Sequence, residues 1–101
     1  MKYYQKYRSY IMSVLINVPT PLRTITKDRT VEVDGSTLAE CINNLEEKFN
    51  GIKKRLINDE GEINKFINFY INGDDVRHSK GLETEIEPGS SIDIVPAMAG
   101  G

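Results

Sequence analysis

Cysteine is nearly missing from this chain: Cys41 stands alone among 101 residues. One thiol makes neither an internal disulfide nor a multi-cysteine metal site, so the fold has to be held by packing. Such cysteine usage suits a cytosolic or redox-indifferent protein. Long apolar runs are missing too, and nothing approaches the roughly 20 residues of a membrane-spanning helix. The first ten residues are basic and tyrosine-rich but lack the apolar stretch of a signal peptide. No export is therefore expected, and the expected location is cytoplasmic. Excess positive charge is absent, the net charge being -2. That argues against a nucleic-acid partner, which needs a basic patch.

Chemistry-bearing clusters are equally scarce. No G-x-x-x-x-G-K phosphate loop occurs. The lone histidine, His78, lies near Asp74-Asp75, and Asp59-Glu60 forms a second acidic pair. Neither spacing matches a metal site, and no nucleophile accompanies His78 as a base. Both read as solvated loop charge. No catalytic residue, no metal ligand and no cofactor bound by this chain is expected.

What is present is an ordinary globular composition, 39% hydrophobic and 28% charged, on a length that suits one domain. Residues 1–11 show no period and are expected to form a flexible extension. Residues 12–96 read as the folded domain and residues 97–101 as a flexible tail. From Ser13 to Val18 the residues alternate, with Val14, Ile16 and Val18 on one side, the mark of a strand. Pro19 and Pro21 end it. A polar loop is expected over Arg23 to Arg29, then a short strand from Thr30 to Val33 and a turn at Asp34-Gly35.

The helix is the clearest element. Thr37 and Glu40 have capping-box spacing. Leu38, Cys41, Ile42, Leu45 and Phe49 follow as one apolar stripe, and Asn50-Gly51 is a stop signal. Cys41 on that stripe reads as a small buried hydrophobe rather than a reactive thiol. A short helical turn is expected over Ile52 to Ile57. A third strand runs from Phe66 to Ile71, with Ile67, Phe69 and Ile71 on one face and Phe66, Asn68 and Tyr70 on the other. Asn72-Gly73 predicts a tight turn. Loop is expected from Asp74 to Pro88, then a last strand from Ser91 to Pro96 with Ile92 and Ile94 on its inner face. The class is α+β, a sheet packed on one main helix.

The end of the chain carries the functional signal. After the last strand come Ala97, Met98, Ala99, Gly100 and Gly101. A glycine pair takes backbone shapes closed to other residues and lets another backbone come close. Such a tail suits a narrow channel and presents a bare carboxylate. The alternative is a frayed terminus. Alternation also places Tyr70, Val95 and Leu15 outward on neighbouring strands, an apolar patch expected to dock a partner.

In this order, Val18-Pro19-Thr20-Pro21-Leu22-Arg23, Gly51-Ile52 with Arg55-Leu56, Phe66 through Gly73, Asp75-Val76-Arg77, Gly81-Leu82 and Ile94 through Gly101 resemble the MoaD/ThiS family of ubiquitin-like sulfur carriers, most closely its CysO-type members. The resemblance covers Met12 to Gly101, and His78 departs from it. It implies a β-grasp fold with a mixed sheet, and a protein cosubstrate rather than an enzyme. It also implies that Gly101 carries sulfur as a thiocarboxylate, that Gly100 slips into an active site, and that Ala99, Met98 and Ala97 line the channel. The implied partners are a ubiquitin-activating-type adenylyltransferase and a sulfur-accepting synthase, for cysteine or for molybdopterin. ATP and, on the cysteine route, pyridoxal phosphate would belong to those partners. Two rival readings remain: a protein modifier conjugated through Gly101, and a non-covalent interaction module.

Overall fold

The computed structural model describes residues 13–97. The expected extension over residues 1–11, Met12 and residues 98–101 lie outside the described residues. Strand β1 spans Ser13–Asn17 and keeps the predicted alternation. Val14, Ile16 and the following Val18 are buried, while Leu15 faces out. After Pro19 the chain turns through a 3-10 segment, Thr20–Leu22. Helix α1, Arg23–Thr26, replaces the polar loop expected there. The pattern was hidden because one turn of helix shows too few apolar positions to define a period. Thr26 is buried in it, as is Leu22 just before it, and Ile25 packs against the core. The Thr26 hydroxyl donates to the Asp28 carbonyl at 2.8 Å, which satisfies it in the interior.

Strand β2, Thr30–Asp34, returns antiparallel to β1 with Val31 and Val33 inward. Helix α2, Leu38–Lys48, buries Leu38, Cys41, Ile42 and Leu45 along the expected stripe. Its N-terminus departs from the standard capping box. Thr37 Oγ1 accepts from Glu40 N–H at 3.1 Å, but Glu40 Oε1 takes the N–H and hydroxyl of Ser36 instead of the Thr37 N–H. Across the chain, Thr37 forms a β-bridge with Glu85. Flanking bonds run from Leu38 N–H to Thr84 O and from Ile86 N–H to Ser36 O. At the other end Glu46 accepts from Gly51 N–H at 3.0 Å and Lys53 N–H at 2.8 Å. These bonds lead the chain into helix α3, Lys53–Leu56.

Strand β3, Ile67–Ile71, leads into the Asn72-Gly73 turn, whose φ angles of 50° and 91° are both positive. Two positive φ values define the type I′ hairpin turn and explain why asparagine and glycine stand there. The hairpin returns as a two-residue strand β4, Asp74–Asp75, paired with Ile71 and Tyr70. Two 3-10 segments follow, Val76–His78 and Gly81–Glu83, where only loop was expected. Strand β5, Ser91–Pro96, closes the sheet.

The strand order is β2-β1-β5-β3-β4. The central pair, β1 with β5, is parallel and the other pairs are antiparallel, so the sheet is mixed as expected. Its inner face and α2 share one core in which Phe69, Ile16, Leu38, Leu45, Ile52, Leu56 and Ile92 are fully buried. Each such side chain contributes about 1.5–3 kcal/mol by burial. The other face of the sheet carries the exposed residues Leu15, Phe66 and Val95.

Candidate functional site

Gly101, Gly100, Ala99 and Met98 lie outside the described residues. Ala97, expected with the free tail, is held by the sheet. Its N–H donates to the Phe66 carbonyl at 2.7 Å, one rung beyond the Ile67–Pro96 pair. That rung sets the phase of the ladder, because in an antiparallel pair alternate residues exchange bonds. Asn68–Val95 and Tyr70–Asp93 then bond across to β3, and Pro96 turns its nitrogen towards β1. There β1 has already ended, since its last paired residue, Asn17, faces Asp93. The proline therefore sits where no N–H is needed. The chain leaves the sheet from a strand pinned on the β3 side.

The exposed face around this exit is built by register. Phe66, Asn68 and Tyr70 on β3 share a face with Ala97, Val95 and Asp93 on β5. Phe66 is 49% exposed, Leu15 40% and Val95 39%, the large hydrophobic side chains that reach solvent most among the described residues. Phe66 and Val95 lie on adjacent rungs beside Ala97. The Lys65 ammonium sits 5.3 Å from the Phe66 ring centre, a cation–π distance. Tyr70 is half-buried on the next rung, opposite Asp93.

Leu15 does not join this group. It pairs with Ser91, four residues back along β5 from Val95, or about 13 Å at strand rise. Polar side chains fill the interval. Asn17 donates to Asp93 Oδ1 and to Ser91 Oγ, and Thr30 donates to Asn17 Oδ1. The expected Tyr70–Val95–Leu15 patch is thus divided by a polar row. Phe66, not among the three expected residues, stands beside Ala97. Its alternation with Asn68 and Tyr70 was the signal for its side of the sheet. What sequence alone did not give was the β3–β5 register that sets it opposite Ala97.

The remaining candidates fall into place one by one. Cys41 is fully buried, and burial first, then the nearby Glu40 and Asp34 charges, push its thiol up to about 11. It stays protonated near neutral pH and is no nucleophile. Asp75 is gripped by Arg77, with Nη2 2.7 Å from Oδ2 and Nε bonded to both oxygens. Those bonds, with the Arg77 N–H, hold its pKa down at about 2. Asp74, Asp75 and His78 line a polar groove of about 630 Å³ with Glu85 and Glu87, at the end of the sheet away from the tail exit. Asp59 and Glu60 are exposed loop residues. No helix among the described residues is long and apolar enough to cross a membrane.

Comparison with known proteins bears on the whole of this arrangement. The model of the ThiS family matches residues 16–101. The sulfur carrier protein CysO of Mycobacterium tuberculosis is 42% identical over 93 residues, 89% of this chain and all of that protein. Small archaeal modifier protein 3 of Haloferax volcanii is 34% identical over 68 residues, 67% of this chain and 73% of that protein. Among solved structures, the Amycolatopsis orientalis BexX/CysO complex contains a chain similar at TM-score 0.82 and 45% identity. The similarity spans 87% of this chain and 99% of that one.

Proposed function

The chain belongs to the ThiS family, and from that premise we propose that it is a sulfur carrier whose Gly101 carboxylate is charged as a thiocarboxylate. The observation that carries the reading is the match through residue 101, Gly-Gly end included, on a sheet whose last described residue, Ala97, lies beside an exposed apolar face. Likeness to CysO over most of the chain supports it.

The chemistry follows from the carboxylate. As an anion with a poor leaving group it resists nucleophiles. An activating enzyme removes both obstacles with ATP: a carboxylate oxygen attacks the α-phosphorus and pyrophosphate departs. A sulfur nucleophile then adds at the acyl carbon and AMP leaves. With sulfide as that nucleophile, loss of its proton leaves the chain ending in a thiocarboxylate. That soft nucleophile is passed to an acceptor by a second enzyme, a synthase for cysteine or for molybdopterin. ATP, and pyridoxal phosphate on the cysteine route, sit in those enzymes. The chain itself is a cosubstrate, charged and discharged.

Within it, Gly101 carries the sulfur and Gly100 keeps the approach free of a Cβ. Ala99 and Met98 line the channel, and the Ala97–Phe66 rung anchors the base of the tail. Phe66 and Val95 offer the apolar contact for docking. The kinship with a small archaeal modifier protein favours conjugation to lysine as a second use of the same activated end.

The test is intact-mass analysis after incubation with an adenylating enzyme that acts on ThiS-family carriers, ATP and a sulfide source. Charging should exchange one oxygen for sulfur, respond to a thiocarboxylate-selective reagent and vanish when Gly101 is deleted. A chain that stays an unmodified carboxylate with an enzyme active on its own carrier would sink the reading. Amide-linked adducts requiring Gly101 would instead point to the modifier.

A further inference from the structure

Among the described residues the sheet has two edges, β2 and β4. With two residues, β4 is too short to template another strand. With five, β2 is long enough. The bond from Val18 N–H to Arg29 O, 2.7 Å, sets the phase of its ladder. Arg29, Val31 and Val33 bond towards β1, and Thr30, Glu32 and Asp34 turn their backbone groups to the free side. An open row of this kind invites strand addition.

Two of its three outward carbonyls are already occupied. Lys48 Nζ donates to Glu32 O at 2.6 Å, and Asn44 Nδ2 donates to Asp34 O at 2.7 Å. Both donors come from α2, four residues apart on one face of the helix. Their spacing matches the two-residue repeat of the edge. The groove between strand and helix, about 470 Å³, is lined by the same residues with Val33 and Glu47.

We propose that Asn44 and Lys48 form a latch that closes the β2 edge against strand addition by a second copy of this chain. A second copy is the natural competitor because β2 pairs well with itself. Antiparallel about Glu32, each copy offers the same outward groups in register, and both valines of each strand stay turned to their own core. Glu32 would then face Glu32, and that like-charge contact is a second barrier. The inference is independent of the sulfur-carrier reading, since neither latch residue lies at the tail exit.

Sedimentation equilibrium and amide hydrogen exchange on the full chain test it. Asn44→Ala/Lys48→Ala/Glu32→Gln should self-associate on the order of tenfold more tightly than the parent. The Thr30, Glu32 and Asp34 amides should gain protection as concentration rises. Lys48→Arg, which keeps a donor, should behave as the parent. A variant with native circular dichroism that associates no more tightly, or one that protects another segment, overturns the proposal. Should the triple variant fail to fold, Lys48→Met keeps the aliphatic stem and puts the same question to the same two readouts.

Discussion

A Cβ added to Gly35 would lie 2.6 Å from the Cys41 sulfur and 2.9 Å from the Cys41 nitrogen. The turn after β2 thus rests directly on the first turn of α2, and glycine is required by contact. Gly35→Ala should destabilise by about 1–3 kcal/mol, the usual cost of overpacking. Cys41→Ala in the same chain should recover only part of this, because the clash with the backbone nitrogen remains. Urea unfolding of the single and double variants measures both. Full recovery would show that the sulfur alone matters.

This contact also shows where sequence reasoning stops. Periodicity identified the α2 stripe and placed Cys41 on it, and alternation placed Val14, Ile16, Ile92 and Ile94 inside. Asn72-Gly73 announced its turn. These features are local, set by one chain segment and its own hydrogen bonds. The rest depended on partners distant in sequence. Thr37 meets Glu85 in a β-bridge that joins two segments far apart in sequence. Strand β4 exists because the hairpin closes onto Tyr70 and Ile71. Likewise, Phe66 and not Leu15 stands by Val95 because of a register no single strand encodes. The Gly-Gly end was legible as a chemical signal, but the face beside Ala97 required the sheet.

Leu45 is fully buried at the centre of the α2 stripe. Leu45→Ala removes its methyl groups and leaves a cavity the surroundings fill only in part. The expected loss is about 2–5 kcal/mol, read as a lower urea midpoint at constant slope. A loss below 1 kcal/mol would mean that this site collapses freely.

Acid should weaken the fold through three carboxylates. Glu40 and Glu46 are held below the ordinary 4.5 chiefly by backbone N–H donors, from Ser36 and Gly51 respectively. Asp75 is held at about 2 by the Arg77 side chain. All three are depressed in the folded state, so their stabilisation is complete above the ordinary carboxylate values and fades as pH falls through the folded ones. Melting temperature should therefore be flat at neutral pH and decline from near pH 4.5 towards 2. Glu46→Gln and Asp75→Asn should lower it at pH 7 and flatten the decline. An unchanged slope in both variants would exclude these groups as its source.

Asn72 secures the hairpin to the start of β5 and to the residue before it by three bonds. Its N–H donates to Ser91 O at 2.8 Å, its Oδ1 accepts from Ser91 N–H at 2.9 Å, and its Nδ2 donates to Ser90 Oγ at 3.3 Å. Asn72→Ala loses both side-chain bonds and places a less tolerant residue at positive φ. The expected cost is about 1–3 kcal/mol. Faster hydrogen exchange should be confined to Ile71 and Asp74 and the start of β5. Uniform acceleration would point to global destabilisation instead.

The exposed face makes the sharpest functional prediction. Phe66 and Val95 flank the Ala97 rung, whereas Leu15 lies beyond the Asn17–Asp93 bond. If a partner docks where the tail leaves, Phe66→Ala and Val95→Ala should raise KM for adenylation of this chain about tenfold each and leave kcat nearly unchanged. They remove contacts made equally in the ground and transition states. Because both side chains point to solvent, unfolding midpoints should hardly move. Leu15→Ala should leave KM near the parent value, and Tyr70→Ala should fall between. Single-turnover and steady-state kinetics with the adenylating enzyme separate these cases. An effect of Leu15 as large as that of Phe66 would show that the partner spans the polar row and reads the whole sheet face. A fall in kcat at Phe66 would give it a different part, positioning the tail through the Ala97 rung.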